Sequence, residues 1–237
     1  MKRNQSGFTL IEIAIVLVII GLLLGGVLKG QELINSARVK NMATDFKNIP
    51  VFIYGYQDKY RALPGDQAQA ALDLQFPPAL TALECTPAAA GLCTPANGVI
   101  DGDWNAIART SETFMFWQHV RLAGLAPGPT DIAVANYLPT NAAGGTIGIQ
   151  SGTSVIAKSP MLGSAGANPI RGSYVICSTG ILGKFVKQLD LQMDDGNTAT
   201  GSMMATDTIV TPYAIGAVAT PTANVNDSNT YTVCMGI

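Results

Sequence analysis

Apolar residues dominate the chain from Phe8 to Leu28, and Glu12 is the one charge among them. At about 1.5 Å per residue a helix over this run covers roughly 30 Å, the thickness of a bilayer's hydrocarbon core. Lys2 and Arg3 precede it and favour keeping that end in the cytoplasm. Beyond the run the pattern changes but does not stop. Val39, Met42, Phe46, Ile49, Ile53, Tyr56 and Tyr60 recur at alternating steps of three and four, a narrow apolar stripe on a helix. One helix is therefore expected from about Phe8 to Arg61, bent near Pro50, and ending before Leu63-Pro64-Gly65-Asp66. Its first half is apolar all round and suits lipid or neighbouring helices. Its second half offers one stripe to a globular domain, or to a second helix in a coiled coil.

After Arg61 the chain turns to Ala, Gly, Pro, Thr and Asn with short strand-like runs. Ala68 to Leu74 reads as a short helix capped by Asp66. Thr110 to Ala123 reads as a second, with Phe116, Trp117, Val120 and Ala123 on one face and Gly124 and Pro127 ending it. A third spans Ile181 to Met193, where Leu182, Phe185, Val186, Leu189 and Met193 keep helical spacing. Strands are expected at Ile132–Tyr137, Thr146–Ile149, Ser154–Ala157, Tyr174–Cys177, Thr208–Ile215 and Tyr231–Met235. Gly and Pro between them suggest antiparallel hairpins. The expected class is α+β: a long N-terminal helix against an antiparallel sheet, with additional short helices.

Composition narrows the function classes. With 237 residues, 48% apolar and 13% charged, the chain can build a sizeable core, and its net charge of −2 gives no direct nucleic-acid signal. The four cysteines, Cys85, Cys93, Cys177 and Cys234, contain no CxxC pair, and the lone histidine cannot complete a Cys/His zinc site. An exported chain meets an oxidising compartment, so two disulfides are expected; of three possible pairings we favour Cys85–Cys93 and Cys177–Cys234, with four buried thiols as the alternative. An ordinary secretory signal is the rival reading of the N-terminus, with Gly25 and Gly26 mimicking its cut. The apolar run is too long for it, and the helical pattern continues past its end.

Glu12 is the anomaly. A carboxylate inside an apolar span costs about 2.5–3.5 kcal/mol on insertion scales, unless it lies near the interface or meets a partner. Gly7-Phe8-Thr9-Leu10-Ile11-Glu12, after a short basic leader, resembles the processing site of type IV prepilins and type II secretion pseudopilins. The resemblance implies cleavage between Gly7 and Phe8 by a prepilin peptidase, N-methylation of Phe8, and a role for Glu12 in setting subunit register. The new α-amine of Phe8 would be neutralised by a neighbouring subunit's Glu12. Many major pilins carry a proline in the apolar half of this helix. Here none occurs before Pro50, and Gly21, Gly25, Gly26 and Gly30 are the residues that weaken the helix there.

The resemblance divides the chain into a leader (1–7), a transmembrane or filament-core helix (8–28), its amphipathic continuation (29–61) and an exported pilin-like domain (62–237). It implies an inner-membrane precursor with a cytoplasmic N-terminus, later part of a periplasm-spanning or extracellular filament. Its partners would be itself or other pilins, the prepilin peptidase, and the assembly machinery of the inner membrane. The leading function is a structural subunit of a type IV pilus, minor or pilin-like, serving adhesion, motility or DNA uptake. A type II secretion pseudopilin is the nearest alternative, and a membrane-tethered calcium-dependent adhesin is the alternative of a different class.

Chemistry beyond assembly is sparse. Asp101, Asp103, Asn105 and Glu112 match positions 1, 3, 5 and 12 of an EF-hand-like loop, so calcium is a possible ligand although no cofactor is required. Ala106 stands where the loop's glycine belongs. Asp194, Asp195 and Asn197 form a poorer second set. His119 has no evident catalytic partner, and neither a Gly-x-Ser-x-Gly elbow nor a phosphate-loop Lys is present. No enzyme is expected.

Overall fold

The computed structural model describes residues 9–87, 91–208 and 215–237. The chain divides into two compact units, one ending at Arg38 and the other running Val39–Ile237. A single helix, α1 (Leu10–Tyr60), enters both. In the first unit the apolar helix is exposed along its whole length. In the second, Val39, Met42, Ala43, Phe46, Ile49, Ile53 and Tyr56 are buried, with Val51 and Tyr54 turned outward between them. The stripe seen in the sequence is thus a core face of the Val39–Ile237 unit and not a coiled-coil seam. The helix continues through Pro50, whose ring nitrogen has no hydrogen to offer the preceding turn.

The remaining helices are short: α2 (Gln69–Gln75), α3 (Glu112–Leu122) and α4 (Gly183–Met193). Among the described residues six strands follow the order β1 (Ile147–Ser151), β2 (Met161–Leu162), β3 (Tyr174–Leu182), β4 (Met203–Asp207), β5 (Ala217–Val218) and β6 (Thr230–Gly236). Four of them make an antiparallel sheet in the order β1-β3-β6-β4, and β2 and β5 pair in parallel. The two-residue period of a strand sends alternate side chains to opposite faces. Ile176, Val233, Met203 and Ala205 join the α1 stripe, α3 and α4 in the main core. Val175, Cys177, Met204 and Cys234 join Trp104, Met161 and Ile170 in a smaller core on the other face. The protein is α+β.

Several sequence expectations are corrected. The segment Ile132–Tyr137 is a run of turns, because Asp131 Oδ1 accepts the Ala133 amide and locks a local turn. Ser154–Ala157 gives way to a 3₁₀ turn at Ile156–Lys158, entered after the Thr153 hydroxyl accepts the Val155 amide. The strand expected at Thr208–Ile215 falls mainly on residues 209–214, which lie outside the described ones; just before it, β4 was not expected and pairs with β6. Asp66 does not cap α2; the N-cap residue is Ala68, and Glu84 Oε2 accepts the Gln69 amide at 2.6 Å. The Asp66 carboxylate instead accepts the amides of Asn97 and Gly98. Ile181 and Leu182 end β3 before α4 begins.

Candidate functional site

The N-terminal apolar segment carries the most unusual surface of the chain. From Leu10 to Leu28 its large aliphatic side chains are exposed, Leu10 at 92% and Leu17 at 64%. Exposed apolar area of this extent marks a surface that another phase or another chain must cover. By length and composition the helix can cross a membrane. Lys29 and Glu32, paired at 2.7 Å and well exposed, mark where charge returns.

Glu12 sits in the first turn of α1, and its carboxylate is engaged within its own chain. Its Oε2 accepts the Thr9 amide and the Thr9 hydroxyl, both at 2.8 Å. The Glu12 amide in turn donates to Thr9 Oγ1 at 3.3 Å. This reciprocal pair is a capping box, satisfying donors at a helix start that have no partner inside the helix. Thr9-x-x-Glu12 was visible in the sequence as that pattern, and the reading of Glu12 as a membrane carboxylate passed over it. The capping box puts the carboxylate at the helix start, the end where the dipole favours negative charge. Gly7 and Phe8, the residues expected at the cut, lie outside the described residues.

In the Val39–Ile237 unit, the buried polar residues around α3 act as clasps for loops. Glu112 is fully buried and turns Oε1 to the Thr94 amide and Oε2 to the Asp101 amide. Burial pushes its pKa up to about 7, against the pull of those two amides. Asp101 Oδ2 accepts the Asn97 side chain, and the Asp103 carboxyl is held above its usual range by burial. Among the described residues, Asp101, Asp103 and Glu112 do not together bring their ligand atoms within 4.8 Å of one another, and Asn105 completes the loop expected from the sequence. Glu112 is occupied with two backbone donors, and the loop is closed through it.

His119 Nδ1 accepts the Gly65 amide and Nε2 donates to the Leu83 carbonyl, each at 2.9 Å, so both nitrogens are used in structure. Arg121 donates to the carbonyls of Pro127, Pro129 and Tyr137. Gly65 shows how closely these loops lie on α3. Its φ is +94°, and a Cβ there would meet the Glu112 carbonyl oxygen at 2.5 Å. Tyr56 of α1 donates its hydroxyl to Gln67, joining the helix stripe to the same loop.

The four cysteines form Cys85–Cys93 and Cys177–Cys234, the second joining directly paired residues of β3 and β6. Cys85, Cys93 and Glu112 bring possible ligand atoms together, but both sulfurs are spent in the disulfide. A second acidic group gathers at the end of α4. Asp194 and Asp195 are joined there by Asp190, one turn earlier, which the sequence reading missed; its i, i+4 spacing to Asp194 was the available signal.

Comparison with known proteins agrees with the geometry of the first unit. Residues 2–28 match the family model described as the prokaryotic N-terminal methylation motif. That motif is the type IV pilin and pseudopilin signature, a mark of structural subunits rather than of an enzyme class. No curated protein and no solved structure matches the chain.

Proposed function

We propose that this chain is a pilin-like structural subunit of a type IV pilus, a minor one, held in the inner membrane as a precursor and then assembled into a filament. Prepilin peptidase cuts it after Gly7, Phe8 becomes the N-methylated first residue, and residues 8–28 leave lipid for the helices of neighbouring subunits. The observation that carries this reading is an apolar helix exposed on all sides, with a single carboxylate one turn from its start and the methylation motif over it.

The physics of the transfer is favourable. A helix apolar all round loses little when lipid tails are exchanged for other apolar helices. Glu12 is the exception that gives direction. In the single chain it is satisfied by Thr9. In the filament the ammonium of a neighbour's Phe8 supplies a charged partner, and an ion pair in a low-dielectric core penalises any register that leaves either charge alone. The exported unit, residues 62–237, is presented at the filament surface or tip. A type II secretion pseudopilin would share the same signature and assembly logic, and its gene neighbourhood separates the two.

Mass spectrometry of the protein from membranes and sheared filaments tests the processing. The expected first residue is Phe8, carrying one methyl group; a chain that retains residues 1–7 in the filament overturns the reading. Glu12→Ala should reduce incorporation into filaments at least tenfold while leaving precursor levels and cleavage unchanged. Normal incorporation of Glu12→Ala would overturn the role of Glu12 in assembly, and a wild-type chain found only in membranes and never in filaments would instead favour a membrane-tethered module.

A further inference from the structure

We propose that Asp190, Asp194 and Asp195, at the C-terminal end of α4, bind a hard divalent cation, with calcium the best chemical fit. One carboxylate oxygen from each of the three lies within 4.8 Å of the others. Oxygens bound to calcium at 2.3–2.6 Å stand up to about 5 Å apart across the ion, so the spacing suits a shared cation. A cluster of acids on a surface would mean little. Asp190 makes this one different: it is 1% exposed, and neither of its oxygens receives a hydrogen bond of good geometry. A buried carboxylate without a partner costs several kcal/mol, and the usual resolutions are a proton or a cation.

The surroundings favour the cation. Burial, and then the charges of Asp194 and Asp195, push the Asp190 pKa up to about 6, against only a weak pull from the Gly196 amide. No basic residue occupies the last turn of α4, where the helix dipole already places negative potential. Asp194 keeps one oxygen on the Met203 amide, and Asp195 accepts the Asn197 amide and the Thr200 hydroxyl. These bonds fix two carboxylates beside the buried third without neutralising any of them. Carboxylates with the rest of the shell left to water or carbonyl oxygens are the donor set of calcium, magnesium or manganese, and not of zinc or copper. A bound ion would tie the end of α4 to the loop that leads into β4, a tie independent of filament assembly.

The full chain in detergent, stripped with a chelator, can be titrated with calcium, magnesium and manganese chloride by calorimetry and thermal denaturation. One equivalent of a divalent ion should bind and raise Tm. Asp190→Asn should abolish the rise, and Asp195→Asn, on an exposed residue, should weaken binding at least tenfold without unfolding the chain. Asp103→Asn should leave binding intact. The proposal fails if the wild type binds none of the three ions at millimolar concentration, or if Asp190→Asn and Asp195→Asn both bind as the wild type does. It also fails if Asp190→Asn merely lowers the metal-free Tm and the ion-dependent rise persists.

Discussion

His119 shows how one buried side chain can govern the acid stability of the Val39–Ile237 unit. Both of its nitrogens are bonded, and burial holds the imidazole neutral with its pKa down to about 4. An unfolded histidine takes up its proton near pH 6.5, so between those values the unfolded chain binds more protons than the folded one. Stability from this residue is complete above about 6.5 and is lost as pH falls toward 4. Each pKa unit is worth about 1.4 kcal/mol, which makes the loss about 3 kcal/mol. Glu112 acts in an overlapping window with the opposite sign: its pKa is raised to about 7, so its contribution is lost as pH rises from about 4.5 through 7. Urea denaturation of the wild type and His119→Gln at pH 7 and pH 4.5 separates the two. The variant should be less stable at pH 7 and lose less on acidification; equal losses would place the acid sensitivity elsewhere. Neither role was legible in the sequence. A lone histidine on an apolar helix face announces burial, but not which loops it will fasten.

The helix stripe, by contrast, could be read directly, because a period of 3.6 in apolar positions is dictated by which side of the helix meets the core. Ile53 is fully buried and Val51, two residues earlier, is 63% exposed. Ile53→Ala should cost about 2–5 kcal/mol and Val51→Ala less than about 0.5 kcal/mol by chemical denaturation. Comparable losses at both positions would mean that this face is not the core face. The strands were only partly legible. β1, β3 and β6 alternate or run apolar, whereas β4, Met203–Asp207, lies in a Gly-, Ser- and Thr-rich stretch and owes its structure to its pairing with β6. The false strand at Ile132–Tyr137 had suitable residues, but Asp131 captured the backbone in a turn first. Disulfides add a second test at this level. In the chain-entropy account, a loop of 57 residues gains about 4 kcal/mol and one of 8 about 2.5 kcal/mol. Replacing Cys177 and Cys234 together by Ala should therefore lower the denaturation midpoint more than replacing Cys85 and Cys93. The reverse order would show that the loop clip, and not the strand staple, is the stronger constraint.

At the level of the chain, the two units demand different solvents. Residues 13–28 offer water an apolar surface, while Val39–Ile237 encloses its own core. The full chain should enter the detergent-rich phase on cloud-point separation, and a fragment beginning at Val39 should remain in the aqueous phase; an aqueous full chain would argue against a membrane stage. The N-terminal half of this division was plain in the sequence, since length, hydropathy and one misplaced carboxylate sufficed. The acidic site was not: Asp190 lies in a helix whose pattern reads as ordinary amphipathic surface, and only folding shows that its carboxylate points inward.

The strand order carries one more implication. β6 lies between β3 and β4, yet it is the last of the described strands along the chain. The sheet cannot zip shut progressively from its N-terminal end. β3 must wait, unmated on that edge and with Cys177 still reduced, until the distal 57 residues deliver Cys234. During that interval Cys85 and Cys93 are available as wrong partners, so oxidative refolding of the reduced chain should be faster with a disulfide isomerase than without one.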